Sequence, residues 1–296
     1  VRGATKLGLG TVQFGLDYGV SNAGGRTPPA EVRNILAVAA AEGLRVLDTA
    51  RLYGESESAL GDALSPGDAF RIVTKTPKFP QGFGDSEAAA LETALAESLR
   101  KLRRPSVYGL LAHQASDLLG PGGDRMMDTL YALKAKGLVE KVGASIYSGD
   151  EIESLLSLYR FDLIQVPINA LDQRLLRGGH LRALRAAGVE VHARSIFLQG
   201  LLLMDRGKIP GYFGPILPLL DRFAAMAAGT GNTPLQAALD FACGRPEIDV
   251  ALVGVNDAGQ LRQILSAEAG LRPGGDYADC HCDDERYVNP SRWKLA

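Results

Sequence analysis

Four residues of catalytic type fall at or just beyond the ends of short apolar runs. Asp48 lies in VLDTA, Tyr53 follows in LYGESE, Lys75 lies in VTKT and His113 in LLAHQ. A lone tyrosine, with an ordinary pKa of ~10, is a poor acid or base near neutrality. A neighbouring ammonium would change that. Lys75 would favour the phenolate, Asp48 would keep the lysine protonated and oriented, and a Tyr53 of lowered pKa would exchange a proton with a carbonyl or alcohol oxygen. His113 would orient or polarise the same oxygen by hydrogen bonding. Singly these residues read as a charge pair with a packed Tyr and a packed His. Together they read as a site.

Such a set works only if the chain folds so that the run ends converge. The runs KLGLGTVQF (6–14), RVLDTA (45–50), RIVTKT (71–76), VYGLLAH (107–113), KVGASI (141–146), LIQVPI (163–168), VEVHARSI (189–196) and VALVGV (250–255) are nearly continuous in apolar residues. Strands buried on both faces have that pattern. Between them, DSEAAALETALAESLRKL predicts a helix with Asp85 as N-cap and Leu91, Leu95, Leu99 and Leu102 on one face. Further helices are expected to start near Pro28, Asp124, Asp150 and Thr233. Eight strand–helix alternations predict a closed (β/α)8 barrel rather than an open doubly wound sheet, as a single domain over residues 1–296. In such a barrel the chemistry lies at the C-terminal ends of the strands. The Gly- and Pro-rich stretch 198–220 is expected to be a functional loop, and the tail from Leu271 to pack on the barrel mouth or side.

The 296 residues carry 32 basic and 34 acidic side chains, a net charge of −2, with both signs interspersed. That balance offers no footprint for nucleic acid or an anionic membrane. Cys243, Cys280 and Cys282 are too few for a disulfide framework, and no apolar run approaches the ~18 residues of a membrane span. With no basic segment leading into an apolar stretch near residue 1, a cytoplasmic location is expected. Cys280, His281 and Cys282 are adjacent and would ligate poorly, so no metal is expected. Cys243 reads as core, and His180 and His192 as structural. Gly8, Gly10 and Gly15 do not make a dinucleotide fingerprint, because position 13 is Gln13. Ser145 lacks the G-x-S-x-G setting of a hydrolase nucleophile.

The motifs LGLGTVQFG, LDTARLYGESESALG, VTKT, LLAHQ, VGASIYS, LIQVPIN and FLQGLL follow one another in an order that resembles the aldo-keto reductase family over nearly the whole chain. The resemblance implies that Tyr53 is the general acid of carbonyl reduction, with Lys75 and Asp48 tuning it and His113 positioning the carbonyl. It implies a nicotinamide dinucleotide extended across the barrel mouth. Ser145 and Gln165 match positions that hold the carboxamide. Ser195, Phe197, Gln199 and Gly200, and Gly254, Asn256, Gln260 and Gln263, match loops that contact the rest of the cofactor.

Three departures stand out. Ile146 replaces the Asn usual after the serine, and Arg194 replaces the aromatic residue that stacks on the nicotinamide. Gly254 and Gln260 stand where cations pair the 2′-phosphate, with Asp257 beside them and Arg262 the one cation in the segment. NADP(H) is the family default and NAD(H) the alternative. Asn169 lies near the same rim without an assigned role. Tyr18, Tyr212 and Phe213 are expected to wall the substrate pocket, with loop-on-loop packing as the rival reading. The implied substrate is a small aldehyde or ketone, sugar-derived carbonyls included. Two rivals are an aldolase using Lys75 as a Schiff base, which Asp48 disfavours, and a catalytically silent cofactor-binding regulator. Nothing in the sequence sets an oligomeric state.

Overall fold

Each predicted apolar run forms a strand, shorter than the run everywhere except Val139–Ser145, which starts two residues before its run. The computed structural model describes residues 5–20, 22, 24–65 and 67–295. Its strands are β1 (Leu7–Gly10), β2 (Val46–Asp48), β3 (Arg71–Lys75), β4 (Val107–Ala112), β5 (Val139–Ser145), β6 (Leu163–Pro167), β7 (Glu190–Arg194) and β8 (Val250–Gly254). All neighbours are parallel, and β1 pairs with both β2 and β8, so the sheet closes into an eight-stranded barrel. Helices α1 (Pro29–Ala41), α2 (Ser56–Ala63), α3 (Asp85–Leu102), α4 (Ser116–Leu119), α5 (Gly123–Ala135), α6 (Gly149–Leu158), α7 (Arg174–Arg177), α8 (His180–Ala186), α9 (Leu217–Gly229), α10 (Pro234–Cys243), α11 (Ala258–Gly270) and α12 (Glu285–Val288) complete the fold. Among the described residues no helix is long and apolar enough to cross a membrane.

Alternation along the strands sorts the barrel interior into layers. Val46, Val73, Leu111, Leu163 and Leu252 form an apolar cluster inside the barrel. Two residues further along β2, β3, β6 and β8, toward the C-terminal ends, stand Asp48, Lys75, Gln165 and Gly254, all lining the mouth. The spacing of two therefore delivers polar side chains to the mouth and leaves an apolar plug beneath them. Outside, α3 buries Leu91, Leu95, Leu99 and Leu102. Its N-cap is Gly84 and not Asp85: Glu87 accepts the Gly84 N–H at 2.9 Å, closing the first turn from inside.

The tail docks on the loops after β6 and β7. Cys282 N donates to Leu171 O (2.8 Å), Gln173 Nε2 to Tyr277 O (2.6 Å), and Arg174 pairs with both Asp172 and Glu285. Cys280 and Cys282 are buried by this docking, whereas Cys243 is only half-buried at the end of α10.

Candidate active site

The turn after β2 carries Tyr53, and close backbone packing holds it. Gly15 lies so near that a Cβ there would sit 1.7 Å from Tyr53 O, which leaves room only for glycine. Ser56 donates to Thr11 O (2.8 Å) and accepts from Thr49 Oγ1 (3.0 Å), tying the turn to the end of β1. Buried Glu57 accepts from Thr74 Oγ1 (2.7 Å) and Ser98 Oγ (3.0 Å), tying it to β3 and α3. The buried Ser56 hydroxyl and Glu57 carboxylate are thus fully engaged, which makes the turn a fixed element.

Lys75 is the hub of the mouth. Its ammonium donates to Asp48 Oδ1 (2.7 Å), Asp48 Oδ2 (2.9 Å) and Thr49 O (3.0 Å), and lies 3.5 Å from the Tyr53 hydroxyl. Gln165 Nε2 donates to Asp48 Oδ1 at 2.7 Å. The pair is almost dry, with side-chain exposures of 1% for Lys75 and 7% for Asp48. Burial pulls the lysine below its usual pKa while the Asp48 carboxylate opposes that pull. An ammonium spending three N–H bonds on fixed acceptors is a proton donor and not an amine nucleophile, which argues against the aldolase reading.

Tyr53 behaves opposite to the expectation from sequence. Burial raises its pKa above that of a free phenol, the Asp48 charge raises it further, and Arg194 opposes them. Lys75 does not cancel these effects in the resting site, because it lies closer to Asp48, at 2.7 Å, than to the phenol oxygen, at 3.5 Å. Tyr53 is held protonated. Across from it, the His113 ring lies edge-on at 6.1 Å between centroids, its backbone N–H on Thr76 Oγ1 (3.2 Å). Burial, then Lys75 and Lys78, push the imidazole down to about 4, so at neutral pH it is uncharged.

These groups open into a cavity of about 1280 Å³. Tyr18, Asp48, Tyr53, Lys75, His113, Ser145, Gln165, Arg194, Ser195, Phe197, Gln199, Gly200, Gly254, Asn256, Gln260 and Gln263 all line it. Tyr212 and Phe213 do not. Phe213 is fully buried against Trp293 (4.8 Å between centroids), and Tyr212 donates to Arg286 O (2.7 Å), so both serve to seat the tail. The tail in turn gives Pro290 and Ser291 to the cavity wall.

Gln13 and Tyr147 are among the lining residues that sequence reasoning missed. Gln13 packs where a side chain on Gly254 would stand, with a Cβ there only 2.6 Å from its Nε2. Tyr147 stacks under the Arg194 guanidinium, 4.2 Å from ring centroid to Cζ, while Arg194 Nη2 donates to Ile146 O (2.9 Å). Asn169 acquires a role: its Nδ2 donates to Ser195 O (3.1 Å), bracing a loop in which Ser195, Leu198 and Gln199 adopt positive φ. Such backbone costs ~1–3 kcal/mol per residue and persists where surroundings fix it.

Five buried polar atoms of residues lining this cavity lack a protein partner: Gln13 Oε1, His113 Nδ1, Gln165 Oε1, Arg194 Nε and Asn256 Oδ1. A buried unsatisfied group costs ~1–3 kcal/mol, so the wall is built for a ligand with several donors and acceptors. Gln165 Oε1, beside Ser145 in the β5–β6 register, suits the N–H₂ of a carboxamide.

The sequence model described as the Aldo/keto reductase family matches residues 6–272. The chain belongs to the aldo-keto reductase family. Membership makes it an oxidoreductase of carbonyl groups in general terms. An "Aldo-keto reductase" of Mycobacterium sp. (strain MCS) is 27% identical over 73% of this chain and 69% of its own length. An uncharacterized oxidoreductase of Mycobacterium bovis is 26% identical over 97% of this chain and 91% of its own. Among solved structures, the holo form of an aldo-keto reductase from Bacillus halodurans shares the fold with a TM-score of 0.77 at 19% identity, covering 98% of this chain and 96% of that one. The glycerol dehydrogenase of Gluconobacter oxydans does so with a TM-score of 0.70 at 21% identity, covering 97% and 93%. This aldo-keto reductase thus has relatives that share its barrel at low sequence identity.

Proposed function

We propose that the protein is an NAD(P)H-dependent reductase of small aldehydes or ketones in which Tyr53 donates the proton. The observation that carries this reading is the line from Asp48 through Lys75 to Tyr53, ending in the cavity wall with neutral His113 across from it. A dihydronicotinamide supplies the hydride when bound. The chain's own residues do the rest. The carbonyl oxygen is received between the Tyr53 hydroxyl and a His113 ring nitrogen. As negative charge grows on that oxygen, the phenol hydrogen bond strengthens and the proton passes from Tyr53 to it. Lys75, 3.5 Å from the phenol oxygen, stabilises the phenolate left behind. Asp48 holds the lysine charged through two bonds, and Gln165 fixes Asp48. A phenol of raised pKa suits this direction, because its proton stays in place until the alkoxide draws it.

Ser145 and Gln165 are the groups to hold the carboxamide, and Ser195 to Gly200 and Gly254 to Gln263 would hold the remainder. The residues lining the cavity from the β8 loop and α11, Gly254, Asn256, Gln260, Gln263 and Ser266 among them, include no Lys or Arg. Arg262 instead lies within charge range of Glu31, and Asp257 is spent capping α11 through Gln260 N (2.8 Å). A 2′-phosphate would find no charge-assisted partner there, which supports NADH over the family's usual NADPH. Polar walls such as Gln13 and the Gln199–Tyr18 hydrogen bond (3.0 Å) suit a hydroxylated, sugar-derived carbonyl.

The test pairs binding with turnover. Fluorescence titration with NADH and NADPH is expected to give micromolar or tighter binding, with NADH the tighter. Tyr53→Phe is expected to keep that affinity and lose ~10²–10⁴-fold in reduction rate. Wild-type turnover by the variant would exclude Tyr53 as the proton donor, and binding of neither nucleotide would exclude the reductase reading.

A further inference from the structure

We propose that Arg194 makes this site discriminate between redox forms, holding the neutral reduced nicotinamide more tightly than the cationic oxidised one. The inference rests on the cofactor reading above and concerns one side chain. Arg194 ends β7, and its Nη2 is fixed on Ile146 O (2.9 Å), next to Ser145 at the end of β5. The register of β5, β6 and β7 sets Ser145 opposite Gln165 and Pro167 opposite Arg194, so the guanidinium adjoins the Ser145–Gln165 pair that the cofactor reading assigns to the carboxamide. Gln165 Oε1 and Arg194 Nε are both buried without a partner on that wall. A ring whose amide were held by Ser145 and Gln165 would lie beside the guanidinium, which is itself held by Ile146 O and the stacked Tyr147 ring.

Among the described residues Arg194 has no ion-pair partner of its own: the buried carboxylate its field reaches, Asp172, is already paired with Arg174. Asp48, the anion of the mouth, is already bonded to Lys75 twice and to Gln165 once. The positive field of Arg194 reaches Tyr53, Lys75 and His113, drawing each toward its less protonated form. A guanidinium stays charged at any working pH. It repels an oxidised, cationic ring and is indifferent to the charge of a reduced one, so its effect falls on one redox form alone. An aromatic residue in the same place would have no such bias. The consequence for turnover is that the oxidised cofactor leaves readily after each reduction.

Calorimetric titrations of NADH and NAD⁺ into wild type, R194M, R194Q and R194K test this, with NADPH and NADP⁺ run in parallel. Arg194→Gln removes the charge but retains a donor for Ile146 O, guarding against a fold defect in Arg194→Met. Either neutral variant is expected to shift the ratio of oxidised to reduced Kd toward NAD⁺ by at least ~10-fold, or ~1.4 kcal/mol, with R194K staying near wild type. Kd values that move together, or a ratio unchanged in both neutral variants, overturn the proposal and leave the reductase reading intact. Wild type that binds no form of the cofactor overturns both.

Discussion

Asp48→Asn isolates the electrostatic logic of the mouth, because it keeps the shape of the side chain and removes only its charge. In the wild type Asp48 meets the Lys75 ammonium at 2.7 and 2.9 Å, with the two side chains 7% and 1% exposed. Removing one partner of so dry a pair leaves a buried unpaired charge, and such breaks cost ~3–5 kcal/mol. That is a large part of a typical folding free energy of ~5–15 kcal/mol. The loss should depend on pH. Burial already pulls the lysine pKa down, and without Asp48 the main opposition to that pull is gone. A base whose folded pKa lies below its unfolded value binds fewer protons when folded, so stability rises with pH across that window. The gap between variant and wild type should be fullest at neutral pH and narrow as pH climbs toward the ordinary lysine value of ~10.4. Urea unfolding of both proteins without cofactor, at pH 7 and 9.5, measures it. Adding Lys75→Met to the variant should recover stability, since the stranded charge is then gone. A loss below ~1 kcal/mol at pH 7, or a gap that fails to narrow at pH 9.5, would refute the argument.

Two further outcomes follow from the same geometry. His113, held down to about 4, is charged only below that pH, so kcat/KM should show no histidine inflection between pH 5 and 8. An inflection near 6.5 that disappears in His113→Asn would show the imidazole to be protonated in the working range. Gly15→Ala places a methyl carbon 1.7 Å from Tyr53 O and 2.5 Å from Ser56 N, so the tyrosine turn must shift. Overpacking of this kind costs ~1–3 kcal/mol, and a displaced Tyr53 should lower kcat as well. Melting curves and carbonyl turnover both at wild-type level would show the turn to be more compliant than its contacts suggest.

The barrel and the set Asp48, Tyr53, Lys75 and His113 were legible because both depend on local pattern. Near-continuous apolar runs mark strands buried on both faces, and a polar residue at the C-terminal end of a strand has one place to go in a closed barrel. The direction of the Tyr53 shift was not legible, since it turns on whether Lys75 spends its charge on Asp48 or on the phenol, a matter of 2.7 against 3.5 Å. Tyr212 and Phe213 failed for a related reason. An aromatic pair in a Gly-rich loop can wall a pocket or seat a distant segment, and the deciding contact is with Trp293 in the tail. Gln13 registered only as a missing glycine, because nothing near it in sequence reveals that it packs against Gly254.

Arg194 shows how a sequence departure can be read correctly as a difference and still be incomplete. A cation stands where an aromatic residue is usual for the family, and the sequence alone offers either loss of stacking or replacement by a planar guanidinium. The structure adds a second participant, since Tyr147 puts an aromatic ring on the guanidinium from just beyond β5, two strands away in the barrel. The stack is therefore kept in shape while the layer facing the cavity changes from neutral to charged. Shape and charge separate at this position, which is why the neutral and charged variants of Arg194 should differ in redox discrimination more than in overall affinity.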